Sequence, residues 1–268
     1  MFISESDARE IKCVKAAAPL CSGVKTQRQS GDQPAIVVLT GAGISAESGL
    51  PTFRATDGLW EGHRVEDVAS PEGYWRNPEM VHRFYNLRRA ALPAVRPNAA
   101  HDALVRLERE WPGGFLLVTQ NVDDLHDRAG SRRLLHMHGE LLKARCLECE
   151  QSMRWTGDIN VDSRCPHCGA EGSLRPDIVW FGEMPCYMDE ILAGLRGCGI
   201  FIAVGTSGHV YPAAGFVEAA SGAGARTIEV NLAGTAASHA FDDHRTGAAT
   251  AVLPVLVEEL LQEFLTSL

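Results

Sequence analysis

The chain has 268 residues, 45% of them apolar and 22% charged, the composition of a globular protein with a sizeable core. A net charge of −9 excludes non-specific nucleic-acid binding as the main role, because no basic excess is available to displace phosphate counter-ions. No apolar run approaches the roughly 18 residues that span a bilayer, and Met1–Arg9 is too polar for a secretory segment, so a cytoplasmic location is expected.

Residues 1–33 contain no convincing strand and end in the polar, turn-rich KTQRQSGDQP, which suggests an arm ahead of a domain covering 34–268. From Ile36 onward short apolar runs alternate with helical patterns. Strands are expected at Ile36–Thr40, Phe115–Thr119, Ile200–Val204, Thr227–Asn231 and near Ala249–Leu253. Helices are expected at Pro78–Ala91, Ala99–Glu110, Met188–Leu195, Pro212–Ala220 and Pro254–Leu265, the last with Leu256, Leu260 and Phe264 on one face. This alternation predicts an α/β protein: a Rossmann-like parallel sheet with helices on both faces. Two stretches stand apart as a smaller inserted part, a helical segment over about 55–95 and a cysteine module over about 140–175, where cysteine pairs replace apolar periodicity.

The run Ile36–Arg54 carries the first motif. Five β-formers lead into Gly41-Ala42-Gly43, and Gly41-x-Gly43-x-x-Ala46 satisfies the G-x-G-x-x-G/A pattern that lets backbone N–H groups and a helix N-terminus approach a pyrophosphate. A tight turn with no ligand would produce the same letters. A hydride-transfer enzyme should carry an acid about 20 residues further on, at the end of its second strand. Here that region reads FRATDGLWEGHR, a loop with Asp57 in a turn, so the cofactor is expected to be bound in another way.

Eight cysteines would suit a disulfide scaffold, but Cys13, Cys21, Cys186 and Cys198 are scattered, Cys198 as a small buried hydrophobe at a strand entry. Cys146-x-x-Cys149 and, fifteen residues later, Cys165-x-x-Cys168 fit the two-knuckle zinc template, whose four thiolates leave no open coordination position. One structural Zn²⁺ is expected; His167 as a ligand or a redox dithiol are the alternatives.

Three further clusters fall at strand ends, where ligands bind in such sheets. Gln120-Asn121-Val122-Asp123-Asp124 follows the second strand, with Asp123 or Asp124 able to cap the next helix. Gly205-Thr206-Ser207 follows Ile200–Val204, and Asn231 ends the next strand. His136-Met137-His138-Gly139 places two imidazoles on one face if the segment is extended, with the glycine favouring a turn that exposes His138. Tyr85 and Arg88 stand i, i+3 on a helix and so share a face, where ordinary packing and a solvated arginine would also account for them.

GAGISAESGLPTFR, TQNVD, HMHGE, the four cysteines, VWFGE and GTSGHVYPAA, in this order over about residues 35–260, resemble the sirtuin family of NAD-dependent protein deacylases. The YxxR of Tyr85 and Arg88 is similar to that of the bacterial class that also removes acidic acyl groups. The resemblance implies that NAD is consumed as a co-substrate, with nicotinamide, free lysine and O-acyl-ADP-ribose as products. It places Gly41, Ala42, Gly43, Ser45, Phe53, Arg54 and Trp60 over the phosphates and nicotinamide side. Gln120, Asn121, Val122 and Asp123 would hold the nicotinamide and its ribose, and Gly205, Thr206, Ser207, Asn231, Leu232, Ala233 and Ala249 the adenosine half. His138 is implied as general base, with Asn121 beside it in the catalytic site. Val179-Trp180-Phe181-Gly182 would pair with an acyl-lysine peptide as an added strand, with Tyr85 and Arg88 gripping a succinyl or malonyl carboxylate. No nucleic-acid or membrane partner is implied. The stretch through Phe53, Arg54 and Trp60 is expected to act as a lid. An ADP-ribosyltransferase, or a non-catalytic NAD-binding zinc protein, remains the alternative.

Overall fold

The computed structural model describes residues 34–51, 59–60 and 62–266, with the backbone alone for 59–60. The chain opens with β1 (Ala35–Thr40) and a single helical turn α1 (Gly43–Ala46). A two-residue hairpin, β2 (Leu59–Trp60) and β3 (His63–Arg64), leads to α2 (Val65–Val68), α3 (Pro71–Arg76) and α4 (Pro78–Ala91). Then come α5 (Ala99–Glu110), β4 (Phe115–Thr119), α6 (Leu125–Ala129) and β5 (Leu134–His136). The cysteine module is β6 (Gly139–Cys146), β7 (Ser152–Arg154) and β8 (Leu174–Ile178). The chain finishes with α7 (Met188–Gly197), β9 (Cys198–Val204), α8 (Phe216–Gly222), β10 (Arg226–Asn231), β11 (Asp243–Thr246) and α9 (Ala249–Thr266).

Six strands form one parallel sheet in the order β11-β10-β9-β1-β4-β5. β1 is central, and Ile36, Val37, Val38 and Leu39 are all buried because helices cover both faces. Ile36 and Val38 point to the layer of α5 and α9, with Leu104, Leu107, Leu256 and Leu260. Val37 and Leu39 point to α7 and α8, with Ile191, Leu195, Phe216 and Val217. The chain passes from β1 to β4 on one side and returns to β9 on the other. Here the winding reverses, and a crevice must open at the carboxyl ends. The register aligns Thr40 with Thr119 and with Val204, so all three loops leave the sheet at one level.

A second body sits beside this crevice. Ser70 caps α3 by accepting the Gly73 N–H, and Asn77 caps α4 by accepting the Met80 N–H, with Pro71 and Pro78 at the starts of their helices. The buried face of α4, Val81, Phe84 and Tyr85, shares a core with Leu141, Ile178 and Trp180. The helical segment and the cysteine module are thus packed on each other rather than separate.

The main strand and helix pattern matches expectation, with two corrections. Ala249–Leu253 is not a strand but the opening of α9, which begins at Ala249 and not at Pro254. Ala249, Leu253, Leu256, Val257, Leu260 and Leu261 are buried at helical intervals, and Pro254 near the start forfeits only one intrahelical bond. The last strand is Asp243–Thr246, polar because it pairs on one side only, so its sequence lacks an apolar signal. The expected helix at Pro212–Ala220 is a 3₁₀ turn, Ala213–Gly215, followed by α8. No helix among the described residues is long and apolar enough to cross a membrane.

Candidate active site at the carboxyl ends of the sheet

The glycine turn after β1 is built against the loop after β9. The Gly41 N–H donates to the Val204 carbonyl at 3.0 Å and the Gly43 N–H to the Gly205 carbonyl at 2.8 Å. A Cβ on Gly43 would lie 2.6 Å from the Gly205 Cα, and one on Gly41 2.8 Å from the Gly205 carbonyl oxygen. Gly205 itself has a φ of +59° and no room for a Cβ beside the Ile44 nitrogen. The glycines therefore serve first to seat two loops backbone on backbone. The helix behind them is one turn long and so contributes little dipole.

What remains open to a ligand is a set of amides. Among the described residues the N–H groups of Ala42, Thr206 and Ser207 carry no hydrogen bond. Unpartnered backbone donors at the ends of parallel strands are the groups an anion such as a pyrophosphate would take. Side chains tie the surrounding loops together: Gln120 Nε2 donates to Thr206 Oγ1 at 3.1 Å and Asn231 Nδ2 to the Thr206 carbonyl at 2.7 Å. Of the other residues assigned to the adenosine side, Leu232 and Ala233 are exposed, whereas the Ala249 side chain is buried in the core between sheet and helices. Phe53 and Arg54 lie outside the described residues, as does the Trp60 side chain, so the expected lid is not described.

Behind the crevice lies a buried polar triad. Asn121 Nδ2 donates to the Gly41 carbonyl and to Ser45 Oγ, both at 3.1 Å, and Ser45 Oγ donates to Asp123 Oδ2 at 3.1 Å. The other Asp123 oxygen accepts the Leu125 N–H at 3.0 Å, so Asp123, not Asp124, closes the start of α6. Burial pushes the Asp123 carboxyl above its usual range, and the Leu125 and Ser45 hydrogen bonds oppose that shift. Asn121 commits its two N–H groups to the protein, and its Oδ1 has no partner among the described residues.

The two histidines of HMH do not share one extended segment. His136 ends β5 and His138 stands in the turn before β6, while Met137 between them is buried in the core. A Cβ on Gly139 would lie 2.1 Å from the Asp177 carbonyl, and its φ of +81° gives the turn. His138 is half-buried, and its Nδ1 is 3.1 Å from the Gln120 carbonyl. A carbonyl only accepts, so Nδ1 carries the hydrogen and Nε2 keeps its lone pair, with no hydrogen bond among the described residues. Burial lowers the His138 pKa, against the opposing Gln120 bond, so the ring is neutral near pH 7. A neutral imidazole with a free Nε2 is able to accept a proton, which is what a general base requires.

On the second body, Tyr85 is fully buried, and its hydroxyl accepts from Trp180 Nε1 at 3.0 Å. Burial pushes the phenol pKa upward, so it stays protonated. The Arg88 guanidinium lies over the Phe84 ring at 3.1 Å and donates to the Phe84 carbonyl at 2.7 Å. Val179–Gly182 is not an open strand edge. The Val179 N–H donates to the His138 carbonyl, the Trp180 N–H to Glu183 Oε2 and the Phe181 N–H to the Ala69 carbonyl. Trp180 is buried between Tyr74, Tyr85 and the Arg175 guanidinium, so its side chain packs into the core. The link from Val179 to His138 joins the run directly to the expected base.

The four expected cysteines come together. Cys146 and Cys149 flank the turn from β6 to β7, Cys165 and Cys168 the second knuckle, and all four Sγ atoms lie within 4.8 Å of one another. Cys146–Cys168 and Cys149–Cys165 sulfurs are each 3.7 Å apart. A tetrahedral ZnS₄ site with bonds of about 2.3 Å has edges of about 3.8 Å, so the spacing fits zinc. His167 is not in the cluster. Cys198 is buried, with its thiol donating to the Leu195 carbonyl.

Several supporting residues were not anticipated. Thr40 Oγ1 donates to Thr119 Oγ1 at 2.9 Å and lies 3.0 Å from His126 Nε2, while Thr119 Oγ1 accepts the Asn121 N–H. The buried pair Arg175–Glu183 at 2.6 Å shapes the turn that carries Val179–Gly182. Glu229, in the middle of β10, accepts from Thr235 and Ser238 and so anchors the loop after Asn231. An acid inside the apolar run TIEVN was the one visible signal for it.

Residues 41–212 match the Sir2 family. A curated relative from Bdellovibrio bacteriovorus, named NAD-dependent protein deacylase, is 58% identical over 229 residues, covering 85% of this chain and 97% of its own. A solved Sir2 homologue–NAD complex is 38% identical with a TM-score of 0.78, covering 86% of this chain and 90% of that one. Sir2Af2 bound to a myristoylated histone peptide is 35% identical with a TM-score of 0.67, covering 87% and 93%. With the six-stranded sheet, the neutral His138 at its strand ends and the four-cysteine cluster, these matches show that the chain belongs to the Sir2 family.

Proposed function

We propose that the chain is an NAD-dependent protein lysine deacylase that removes acetyl groups, and also succinyl and malonyl groups, in the cytoplasm. The observation that carries this is His138, neutral, with a free Nε2 and held by the Gln120 carbonyl, at a sheet end that also carries Asn121 and the unpaired amides of Ala42, Thr206 and Ser207. The name of the Bdellovibrio relative and the NAD complex of the Sir2 homologue support the same activity.

When bound, NAD would supply a ribose carbon that becomes electrophilic as neutral nicotinamide leaves and takes a bond from the acyl-lysine carbonyl oxygen. The amides of Ala42, Thr206 and Ser207 would hold its phosphates, and Gln120, Asn121 and Asp123 its ribose and nicotinamide side. Asn121, held by Gly41 and Ser45, offers Oδ1 as an oriented acceptor. His138 Nε2 takes a proton from a ribose hydroxyl, and the imidazolium that forms is stabilised by the Gln120 carbonyl on Nδ1. The acyl-lysine enters between α4 and Val179–Gly182. With three N–H groups of that run committed internally, a bound peptide uses its carbonyls and the Gly182 N–H. Tyr85, oriented by Trp180, and Arg88, on the same helix, would receive an acyl carboxylate. Zinc at the four cysteines is structural, since no ligand position is left over.

The test is a panel of acetyl, malonyl and succinyl peptides with and without NAD, products identified by mass. Deacylated peptide with O-acyl-ADP-ribose is expected; ADP-ribose carried on the peptide would favour the transferase alternative. His138→Tyr should lower kcat by about 10²–10⁴-fold with fold and zinc content retained, and unchanged turnover would discard the base assignment.

A further inference from the structure

His136 has no role in the mechanism above, yet it is buried two residues from the base and faces two acceptors. Its Nε2 is 3.0 Å from Asp127 Oδ2 and its Nδ1 is 3.3 Å from the Asn121 carbonyl. A carboxylate and a carbonyl both only accept, and a neutral imidazole has a single N–H. Only the imidazolium satisfies both contacts. The two histidines of the motif thereby hold successive carbonyls of one loop, His138 that of Gln120 and His136 that of Asn121.

From this geometry we infer that His136 is a positioning residue, held as an imidazolium by Asp127, that fixes the Asn121 backbone at the site. The inference rests on the deacylase reading for its effect on turnover, but not for the charge state itself. Every titratable group around the ring agrees with that charge. Asp127 and His126 face it from α6, Asp123 from the loop before α6 and Glu140 from β6. Burial alone would lower the His136 pKa; the hydrogen bond and charge of Asp127, with Glu140 and the Asn121 carbonyl, outweigh it and raise the value. His126 and His138 are held neutral by burial, so His136 is the one cationic ring of the three histidines. As the pH rises through the His136 pKa, the remaining hydrogen stays with the carboxylate and the Asn121 carbonyl loses its donor. Turnover should then fall on the alkaline side, separately from an acid limb set by His138.

Two measurements test this on the full-length protein. Ring ¹⁵N NMR at pH 7 should find both His136 nitrogens protonated; a single protonated nitrogen overturns the inference whether or not the protein deacylates. Asp127 is half-exposed, so Asp127→Asn should fold, with zinc content and Tm close to those of the parent. In that variant the alkaline limb of kcat should move down by about one pH unit or more, with KM for NAD changed less than about twofold. Asp127→Glu should restore the parent profile. An alkaline limb that stays put in Asp127→Asn, or that is not restored by glutamate, would sink the positioning role.

Discussion

The cysteine knuckles and the strand-end crevice are two sites built by opposite means. In the first, four ligands come from two tight turns, each pair set by its own spacing, and the sulfur tetrahedron closes over a segment whose cluster of fully buried residues is small. In the second, no short segment contains the site. Ser45 follows β1, Gln120, Asn121 and Asp123 follow β4, His138 follows β5 and Thr206 follows β9, and hydrogen bonds between them cross up to 86 positions of sequence. The knuckle can be lost as a unit by removing one atom. The crevice should fail by degrees, because each residue is held by several others.

That contrast can be broken at either end. The largest effect is expected at the knuckles: Cys146→Ala should abolish stoichiometric zinc and reduce soluble yield, read by metal analysis, since binding free energy in such modules is folding free energy. Full zinc content in that variant would mean that three cysteines suffice. A smaller, graded effect is expected from Gly43→Ala. The new Cβ would meet the Gly205 backbone at 2.6 Å, and a backbone cannot swing away as a side chain does. We expect a loss of about 1–3 kcal/mol in unfolding free energy and a raised KM for NAD, with KM for peptide little changed. A variant as stable as the parent would show that the two loops do not need their close seat. The smallest effect should come from the second body. Arg88→Met should lower kcat/KM for a succinyl peptide by about tenfold more than for an acetyl peptide, about 1.4 kcal/mol of discrimination. Equal losses on both substrates would leave Arg88 as packing over Phe84.

The second body also shows where pattern and tertiary structure part. The i, i+3 spacing of Tyr85 and Arg88 on α4 was visible from the sequence, but the environment of each was not. Tyr85 meets Trp180 across 95 positions, and Arg88 lies on the ring of Phe84. Val179–Gly182 looked like an edge to be paired, yet it has already used three N–H groups, because it must close against His138, Ala69 and Glu183. Likewise His136 and His138 differ by two positions in sequence and by a proton in the fold. The difference is set by Asp127 on a helix and by Gln120 on a loop.

By itself the sequence determined the things that local geometry controls. These are the α/β alternation, the span of α4 from Pro78 to Ala91, the Cys₄ spacing, and the set of polar residues that would end up at strand ends. Where apolar periodicity was silent or ambiguous, as in Asp243–Thr246 and Ala249–Leu253, local pattern failed, because an edge strand need not be apolar and a buried helix start can look like a strand. Tertiary structure alone decided which glycine meets which backbone, which aspartate closes α6, and which histidine carries the charge. Those outcomes depend on burial and on donors and acceptors brought together from distant strands, and no spacing along the chain records them.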